Sequence, residues 1–247
     1  MIAMGEYYKR IIRSIICFYV SVITTVVIIF FVYYDAYGKY MTTMLKPQDE
    51  KAQYYTELNK TEEHGLTVFF GDSLTELCDT EKYYPDIPNV NRGISGDTTS
   101  GMLKRLEDNV IAIQPVSVVF LGGINDIGHG VSVETVLSNI DKILMQLSTS
   151  LPDCRVLVES LYPVNSHKKP AFLNAVGIRT NEAVLEVNSV LPDICSKYNA
   201  TYVNIHDLLT DDEGNLNKRY TMDGLHVNDK GYEIITAEIN KYLKTGD

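Results

Sequence analysis

From residue 65 onward, short apolar runs rich in β-branched residues alternate with longer segments of helical periodicity. Such alternation is typical of a parallel sheet covered by helices. The predicted strands are Leu66–Phe70, Asn89–Asn91, Val116–Leu121, Arg155–Leu161 and Thr201–Ile205. The predicted helices are Ser132–Leu151, Ala175–Tyr198 with a break near Pro192, and Asp229–Leu243 with Asn228 as its N-cap. The pattern therefore predicts an α/β fold, a three-layer α/β/α sandwich around a five-stranded parallel sheet.

A long uncharged run precedes this domain. Residues 15–34 are rich in Ile, Val, Phe, Tyr and Thr, and the run is long enough to span a bilayer as a helix. Positive residues lie on its N-terminal side and Asp35 follows it, so the positive-inside rule predicts a cytoplasmic N-terminus. We interpret the chain as a short cytoplasmic segment, a transmembrane signal anchor, a polar stalk and an extracytoplasmic domain, at residues 1–14, 15–34, 35–64 and 65–247.

A cleaved signal peptide is the alternative interpretation of the apolar run. Ala36-Tyr37-Gly38 offers a poor small-x-small cleavage site, and the run is longer than the usual apolar region of a signal peptide. Tyrosines on both flanks, at 7, 8, 33, 34, 37 and 40, match the aromatic belts of a membrane-spanning helix. These features favour an uncleaved anchor.

Charge and cysteine spacing narrow the classes of function. The formal net charge of −10 and the lack of an evident basic face argue against nucleic acid as a partner. Cys17, Cys78, Cys154 and Cys195 have no C-x-x-C spacing, so neither a zinc site nor a redox pair is predicted. The sequence shows no cluster of His and carboxylate ligands, and it therefore predicts no metal and no cofactor.

Chemically useful side chains follow the predicted strands, at the sheet edge where open α/β sheets bind ligands. Ser73 follows the first strand in a Gly-Asp-Ser turn, and Asn125 follows the third. Near the C-terminus, Asp223 and His226 are three residues apart, a spacing that lets a carboxylate orient an imidazole. A serine nucleophile, a base and an orienting acid are therefore available, although Gly-Asp-Ser alone is also a common structural turn.

Four motifs in order identify the chain as resembling the SGNH or GDSL hydrolase superfamily, close to its platelet-activating-factor acetylhydrolase-like and carbohydrate-esterase branches. The motifs are Gly71-Asp72-Ser73-Leu74, Gly93 within Asn-Arg-Gly-Ile-Ser-Gly-Asp-Thr-Thr, Gly123-Ile124-Asn125-Asp126 and Asp223-Gly224-Leu225-His226. The resemblance covers residues 65–243 and implies a flavodoxin-like SGNH hydrolase fold. It says nothing about the N-terminal helix.

The resemblance implies a role for each matched residue. Ser73 is expected to be the nucleophile, His226 its general base and Asp223 the residue that holds His226. Gly93 and Asn125 are expected to complete an oxyanion hole with the Ser73 N–H, since an attacked ester carbonyl develops negative charge.

Four other polar residues invite functional roles that the sequence does not favour. Asp72 is interpreted as a turn acceptor rather than a catalytic acid. His129 either lines the pocket or lies on the surface. His206 and Asp207 are interpreted as structural, on the expectation that neighbours in an extended chain point to opposite faces.

The sequence predicts a membrane-anchored serine esterase that works through an acyl-enzyme. Its expected substrates are O-acetyl groups of envelope glycans or short acyl groups of lysophospholipid-type lipids. Two alternatives use the same cleft: a non-catalytic module that binds a glycan or a partner, and an O-acyltransferase with a sugar hydroxyl as acceptor. Residues 160–172 are expected to form part of the pocket rim.

Overall fold

The computed structural model describes residues 15–32, 48–62, 64–167 and 175–244. The chain divides into two compact units, Met1–Lys46 and Pro47–Asp247. In the first unit, helix α1 spans Ile15–Val32 with a mean hydropathy of 2.8, and its side chains are exposed. Its length and composition suffice to cross a membrane, and an N-terminal signal sequence has the same character. The flanking tyrosines and the small-x-small site lie outside the described residues.

The second unit contains the five-stranded parallel sheet that the alternating pattern predicts. Its strands are β1 Thr67–Gly71, β2 Asn89–Gly93, β3 Ser117–Leu121, β4 Arg155–Glu159 and β5 Thr201–Val203. Their spatial order is β2-β1-β3-β4-β5. The second strand is therefore added on one side of β1, and the third to fifth strands are added on its other side. Strands β1 and β3 are buried along their whole length, as expected for central strands covered by helices on both faces.

The register brings the ends of the first three strands together. Gly71 at the end of β1 is level with Gly93 of β2 and Leu121 of β3. The loops that follow these strands therefore meet at one edge of the sheet, where the predicted chemical residues lie.

Long helices cover the sheet and close the core. They are α5 Thr99–Asn109, α7 Val133–Ser150, α8 Asn181–Lys197 and α10 Asp229–Leu243. In α7 the buried side chains recur at helical spacing, as the sequence predicts, and Ser132 caps the first turn. Asn228 caps α10 by accepting from the N–H groups of Lys230 and Gly231, which confirms that prediction.

The prediction for α8 was wrong in two respects. The helix begins at Asn181, after the N-cap Thr180, rather than at Ala175, and it continues through Pro192 without a break. A proline removes one intrahelical hydrogen bond, but Val184, Val187, Leu191 and Cys195 are all buried along the same helix. Packing of this apolar face offsets the lost bond.

Short helices complete the domain. They are α3 Ser73–Glu76, α4 Thr80–Tyr83, the 3₁₀ turn Ile111–Ile113, α6 Ile124–Gly128 and α9 His206–Leu209. Helices α3 and α6 begin just beyond β1 and β3, so each presents its first residues at the carboxyl edge of the sheet.

The segment interpreted as a stalk differs from expectation in its second half. Helix α2, Gln48–Asn59, lies against the domain instead of leading away from it, and the compact unit starts at Pro47 rather than at residue 65. Tyr55 is buried and donates to the carbonyl oxygen of Gly93 at 3.0 Å, while Asn59 Oδ1 accepts from Arg92 Nη2 at 2.7 Å. The composition of α2 is polar enough to mimic a linker, and only these contacts reveal its packed face.

Candidate active site

Ser73 is placed by the sharp turn at the end of β1. It is the first residue of α3, and the preceding Asp72 caps this helix by accepting from the Leu74 N–H at 2.9 Å. Asp72 is therefore the turn acceptor that the sequence predicts. The hydroxyl of Ser73 lies 3.0 Å from His226 Nε2, although the two residues are 153 positions apart in the chain.

A second turn holds the imidazole. Asp223 Oδ1 accepts from the N–H groups of Leu225 and His226 at 2.9 and 2.8 Å, and Asp223 Oδ2 lies 2.6 Å from His226 Nδ1. With Nδ1–H donating to the carboxylate, Nε2 is left as an acceptor for the Ser73 O–H. Serine, histidine and aspartate thus form one hydrogen-bonded chain.

The pKa of Asp223 reflects the balance between burial and hydrogen bonding. Partial burial raises this pKa, but bonds from the His226 ring and from the backbone N–H groups of Leu225 and His226 hold it below its ordinary value. The carboxylate is therefore ionised at neutral pH and can orient the imidazole and stabilise its protonated form.

Asn125 lies at the start of α6, beyond β3, and its side chain is 5% exposed. Its Nδ2 donates to the carbonyl oxygen of Asp97 at 3.0 Å, and its Oδ1 accepts from Arg179 Nη2 at 2.7 Å. An amide nitrogen carries two hydrogens, so one N–H remains for a ligand.

Gly93 departs from the role expected for it. Its N–H donates to Asn91 Oδ1 at 2.9 Å and is therefore already committed. A Cβ at this position would lie 2.2 Å from the backbone nitrogen of Glu76 and 2.9 Å from the carbonyl oxygen of Asp72. Gly93 thus allows β2 to pack closely against α3, and the geometry explains the glycine without an oxyanion contact.

The sequence-based prediction gives Gly96 no role, yet its backbone N–H suits the oxyanion hole better than that of Gly93. Its φ of +75° is in the left-handed region, which glycine adopts without strain. Within the described residues, no hydrogen bond engages its N–H. It also precedes Asp97, whose carbonyl oxygen accepts from Asn125. A Ser-Gly-Asp turn is the sequence signal that could have found it.

A buried arginine that the sequence did not single out supports this loop. Arg105 Nε donates to Asp97 Oδ2 at 2.7 Å, and its other nitrogens donate to the carbonyl oxygens of Gly71 and Arg92 at 2.9 and 2.8 Å. Burial raises the pKa of Asp97 and lowers that of Arg105, and the direct ion pair opposes both shifts. Arg105 thereby ties the ends of β1 and β2 to the loop that carries Gly96.

The predictions for His129 and for the His206–Asp207 pair can be compared with the structure. His129 follows α6 and is exposed, which matches the surface alternative. His206 and Asp207 contact each other, with Nδ1 and Oδ1 3.0 Å apart, because they begin helix α9 rather than lie in an extended chain. The expectation that they point to opposite faces was wrong.

The described part of the chain contains no group of three or more His, Cys, Asp or Glu side chains arranged to hold a metal ion. Of the segment expected to form the pocket rim, residues 168–172 lie outside the described residues.

Comparisons with known proteins show the family and the fold. Residues 69–234 match the model of the GDSL-like lipase/acylhydrolase family. The alpha1 subunit of platelet-activating factor acetylhydrolase IB from Bos taurus is 29% identical over 181 residues, which cover 71% of this chain and 74% of the bovine protein.

Solved structures share the fold. A protein from Streptococcus pneumonia named after platelet activating factor aligns with a TM-score of 0.76 and 30% identity, over 85% of this chain and 99% of the other. The acetyl xylan esterase AlAXEase, at 16% identity and a TM-score of 0.56 over 72% of this chain and 98% of its own, shows likeness of fold alone. The family match spans most of the packed domain, and the chain belongs to the GDSL-like lipase/acylhydrolase family, a family of esterase-type hydrolases.

Proposed function

We propose that this chain is a membrane-anchored serine esterase that hydrolyses acetyl or other short-chain carboxylic esters. The observation that carries the proposal is the hydrogen-bonded chain from Ser73 Oγ through His226 to Asp223, at 3.0 and 2.6 Å. Nothing in a purely structural turn requires a buried serine to meet an imidazole from the other end of the sequence.

The first chemical step transfers a proton and forms a bond. His226 Nε2 takes the hydroxyl proton of Ser73 as Oγ attacks the ester carbonyl carbon, and the carbonyl oxygen becomes an oxyanion. Asp223 stabilises the imidazolium that results. Collapse of this intermediate breaks the bond to the alcohol, which receives its proton from His226 and leaves an acyl-Ser73 ester.

Water completes the cycle by the same route. His226 removes a proton from a water molecule that attacks the acyl-serine, and it then returns a proton to Ser73 Oγ as the carboxylic acid leaves. An acceptor hydroxyl in place of water would give acyl transfer, so the residues alone do not distinguish the two outcomes.

Three donors are available for the oxyanion. The N–H of Ser73 is in the first turn of α3, where backbone N–H groups have no intrahelical acceptor. The free N–H of Asn125 and the N–H of Gly96 are the others. We assign Gly96 in place of Gly93, because the Gly93 N–H is bonded to Asn91.

The substrate is proposed from the name of a relative and from the anchor. The bovine relative is named an acetylhydrolase of platelet-activating factor. That name specifies an acetyl group as the acyl part. A domain tethered outside the membrane by α1 would meet envelope lipids and glycans first.

The activity is tested with nitrophenyl esters of increasing chain length, an acetylated oligosaccharide and an acetylated lysophospholipid, with and without a glycan acceptor. We expect release of acetate by the wild type and labelling of Ser73 by a fluorophosphonate. Ser73→Ala should reduce turnover to near background and abolish labelling, because no acyl-enzyme can form. Folded Ser73→Ala that is as active as the wild type would exclude the serine mechanism, and silence of both would favour a binding module.

The anchor is tested separately by fractionation and protease protection. We expect the full chain to sediment with membranes, and protease added outside intact cells to remove the domain, because α1 with positive residues before it places the N-terminus inside. Recovery of a soluble protein beginning near residue 39 would instead identify a cleaved signal peptide.

A further inference from the structure

Arg179 makes an unusually dense set of contacts beside Asn125. Its Nε donates to the carbonyl oxygen of Ile124 at 2.9 Å, and its Nη2 donates to Asn125 Oδ1 at 2.7 Å. Its Nη1 lies within hydrogen-bonding distance of the carbonyl oxygens of Ala175 and Val176, at 3.3 and 3.1 Å. One guanidinium therefore joins the start of α6 to the segment that leads into α8.

The chemistry of this contact determines how the amide of Asn125 is oriented. A guanidinium carries only donors, so it can face the oxygen of an amide and never its nitrogen. With Oδ1 held by Arg179, Nδ2 points to the opposite side, where it donates to Asp97. The remaining N–H of Nδ2 has no acceptor among the described residues and is the one assigned to the proposed oxyanion hole.

Charge adds a second effect to orientation. A cation bonded to Oδ1 withdraws electron density from the amide, which makes its N–H groups stronger donors. The effect is largest when the acceptor becomes negatively charged, as the ester oxygen does in the transition state. A neutral side chain of the same length could fill the space but could not supply this polarisation.

The fold reserves space for the guanidinium. A Cβ at Gly128, the last residue of α6, would lie 2.3 Å from Arg179 Cζ and 2.4 Å from Nη2. Gly128 does not have a positive φ, so its backbone does not require glycine. The missing side chain at this position is explained by the arginine packed on it.

We propose that Arg179 is a positioning residue that orients and polarises the Asn125 side-chain amide for oxyanion stabilisation. The proposal rests on the esterase function proposed above and deepens it. Arg179 does not touch the substrate in this account, and its effect passes through Asn125.

The test is a double-mutant cycle in kcat and KM with a nitrophenyl acetate substrate. Loss of one oxyanion donor costs on the order of 10²–10³ in kcat, so Arg179→Met should cost about 10 to 100-fold with KM little changed. In the Asn125→Ala background, Arg179→Met should cost less than about threefold, because the group through which it acts is gone. Arg179→Lys should retain part of the activity, since it keeps the positive charge but loses the planar guanidinium that donates to several acceptors at once.

Gly128→Ala provides an independent route to the same result. The added methyl group should displace the guanidinium without removing it, and it should lower kcat in wild type but not further in Arg179→Met. This variant also keeps the proposal testable if Arg179→Met does not fold. Arg155→Met is the matched control, because Arg155 likewise donates to a backbone carbonyl, that of Tyr242, but at the opposite edge of the sheet. Its kcat should be unchanged.

The outcomes separate this proposal from the one on which it rests. A folded wild type that hydrolyses none of the esters overturns the proposed function, and the role of Arg179 with it. An active wild type whose Arg179→Met variant keeps full kcat, or whose double mutant shows simple multiplication of the two losses, overturns only the role of Arg179.

Discussion

Two aspartate turns, one before Ser73 and one before His226, are built alike and yet shift the pKa of their carboxyl groups in opposite directions. Asp72 Oδ1 accepts from the N–H two residues ahead, that of Leu74, at 2.9 Å. Asp223 Oδ1 makes the equivalent bond to Leu225 at 2.9 Å and adds one to His226. The same local hydrogen bond therefore anchors both turns.

The second oxygen of each carboxyl group makes the difference. Asp223 Oδ2 meets His226 Nδ1, whereas Asp72 Oδ2 is buried and has no hydrogen-bond partner among the described residues. Burial raises the pKa of Asp72 to about 7, and the single bond from Leu74 does not compensate. In Asp223 the greater number of donors outweighs burial and the pKa falls. The deeper burial of Asp72 and the larger number of donors to Asp223, rather than the turn itself, set the direction of each pKa shift.

Glu159 at the end of β4 strengthens the contrast. Burial raises the pKa of Glu159 to about 7 against the bond from Tyr162 OH at 2.5 Å, and the charge of Asp72 raises it further. Two carboxyl groups whose pKa values are raised mainly by burial therefore lie beneath the nucleophile turn, where neutral forms are favoured.

The largest expected difference between the two turns is in catalysis. Asp223→Asn should lower kcat by about 10⁴-fold, because an amide favours the wrong tautomer of His226 and cannot stabilise the imidazolium. Asp72→Asn is the matched control: its Oδ1 can still accept from Leu74, and its neutral side chain resembles protonated Asp72. Its kcat should stay within about tenfold of wild type. A loss in Asp72→Asn as large as that in Asp223→Asn would place Asp72 in proton transfer and remove the distinction.

A smaller difference is expected in the pH dependence of stability. The folded pKa of Asp72 lies above its unfolded value, so the folded state binds more protons and stability should fall as pH rises from about 4 to about 7. Asp223 has a lowered pKa, so its contribution is present above about 4 and is lost as pH falls. The two aspartates thus give slopes of opposite sign.

Denaturant unfolding between pH 4 and 8 measures these slopes. Asp72→Asn should gain stability relative to wild type as pH rises, on the order of 2 to 4 kcal/mol by pH 8, since a pKa unit corresponds to roughly 1.4 kcal/mol. Glu159→Gln is the control for the neighbouring carboxyl group. It should remove only the part of the pH dependence of stability that is due to Glu159. A constant difference between Asp72→Asn and wild type over this range would show that Asp72 is ionised throughout.

Local patterns in the sequence determined the sheet and most of the proposed catalytic chain. Short runs typical of strands predicted all five strands to within a few residues, and the periodic apolar face of α7 predicted its bounds to within one residue. The Gly-Asp-Ser turn and the Asp223-x-x-His226 spacing indicated two halves of a site, because such turns depend on side chains within a few residues of each other.

Tertiary packing decided what those patterns could not. It committed the Gly93 N–H to Asn91, left that of Gly96 free, folded α2 onto the domain and brought Arg105 and Arg179 to the loops at the sheet edge. The contacts of α2, Arg105 and Arg179 join residues distant in the chain, and a polar side chain reads the same in sequence whether it faces solvent or a buried acceptor. Only the folded arrangement, in which buried polar groups must find partners, selects between them.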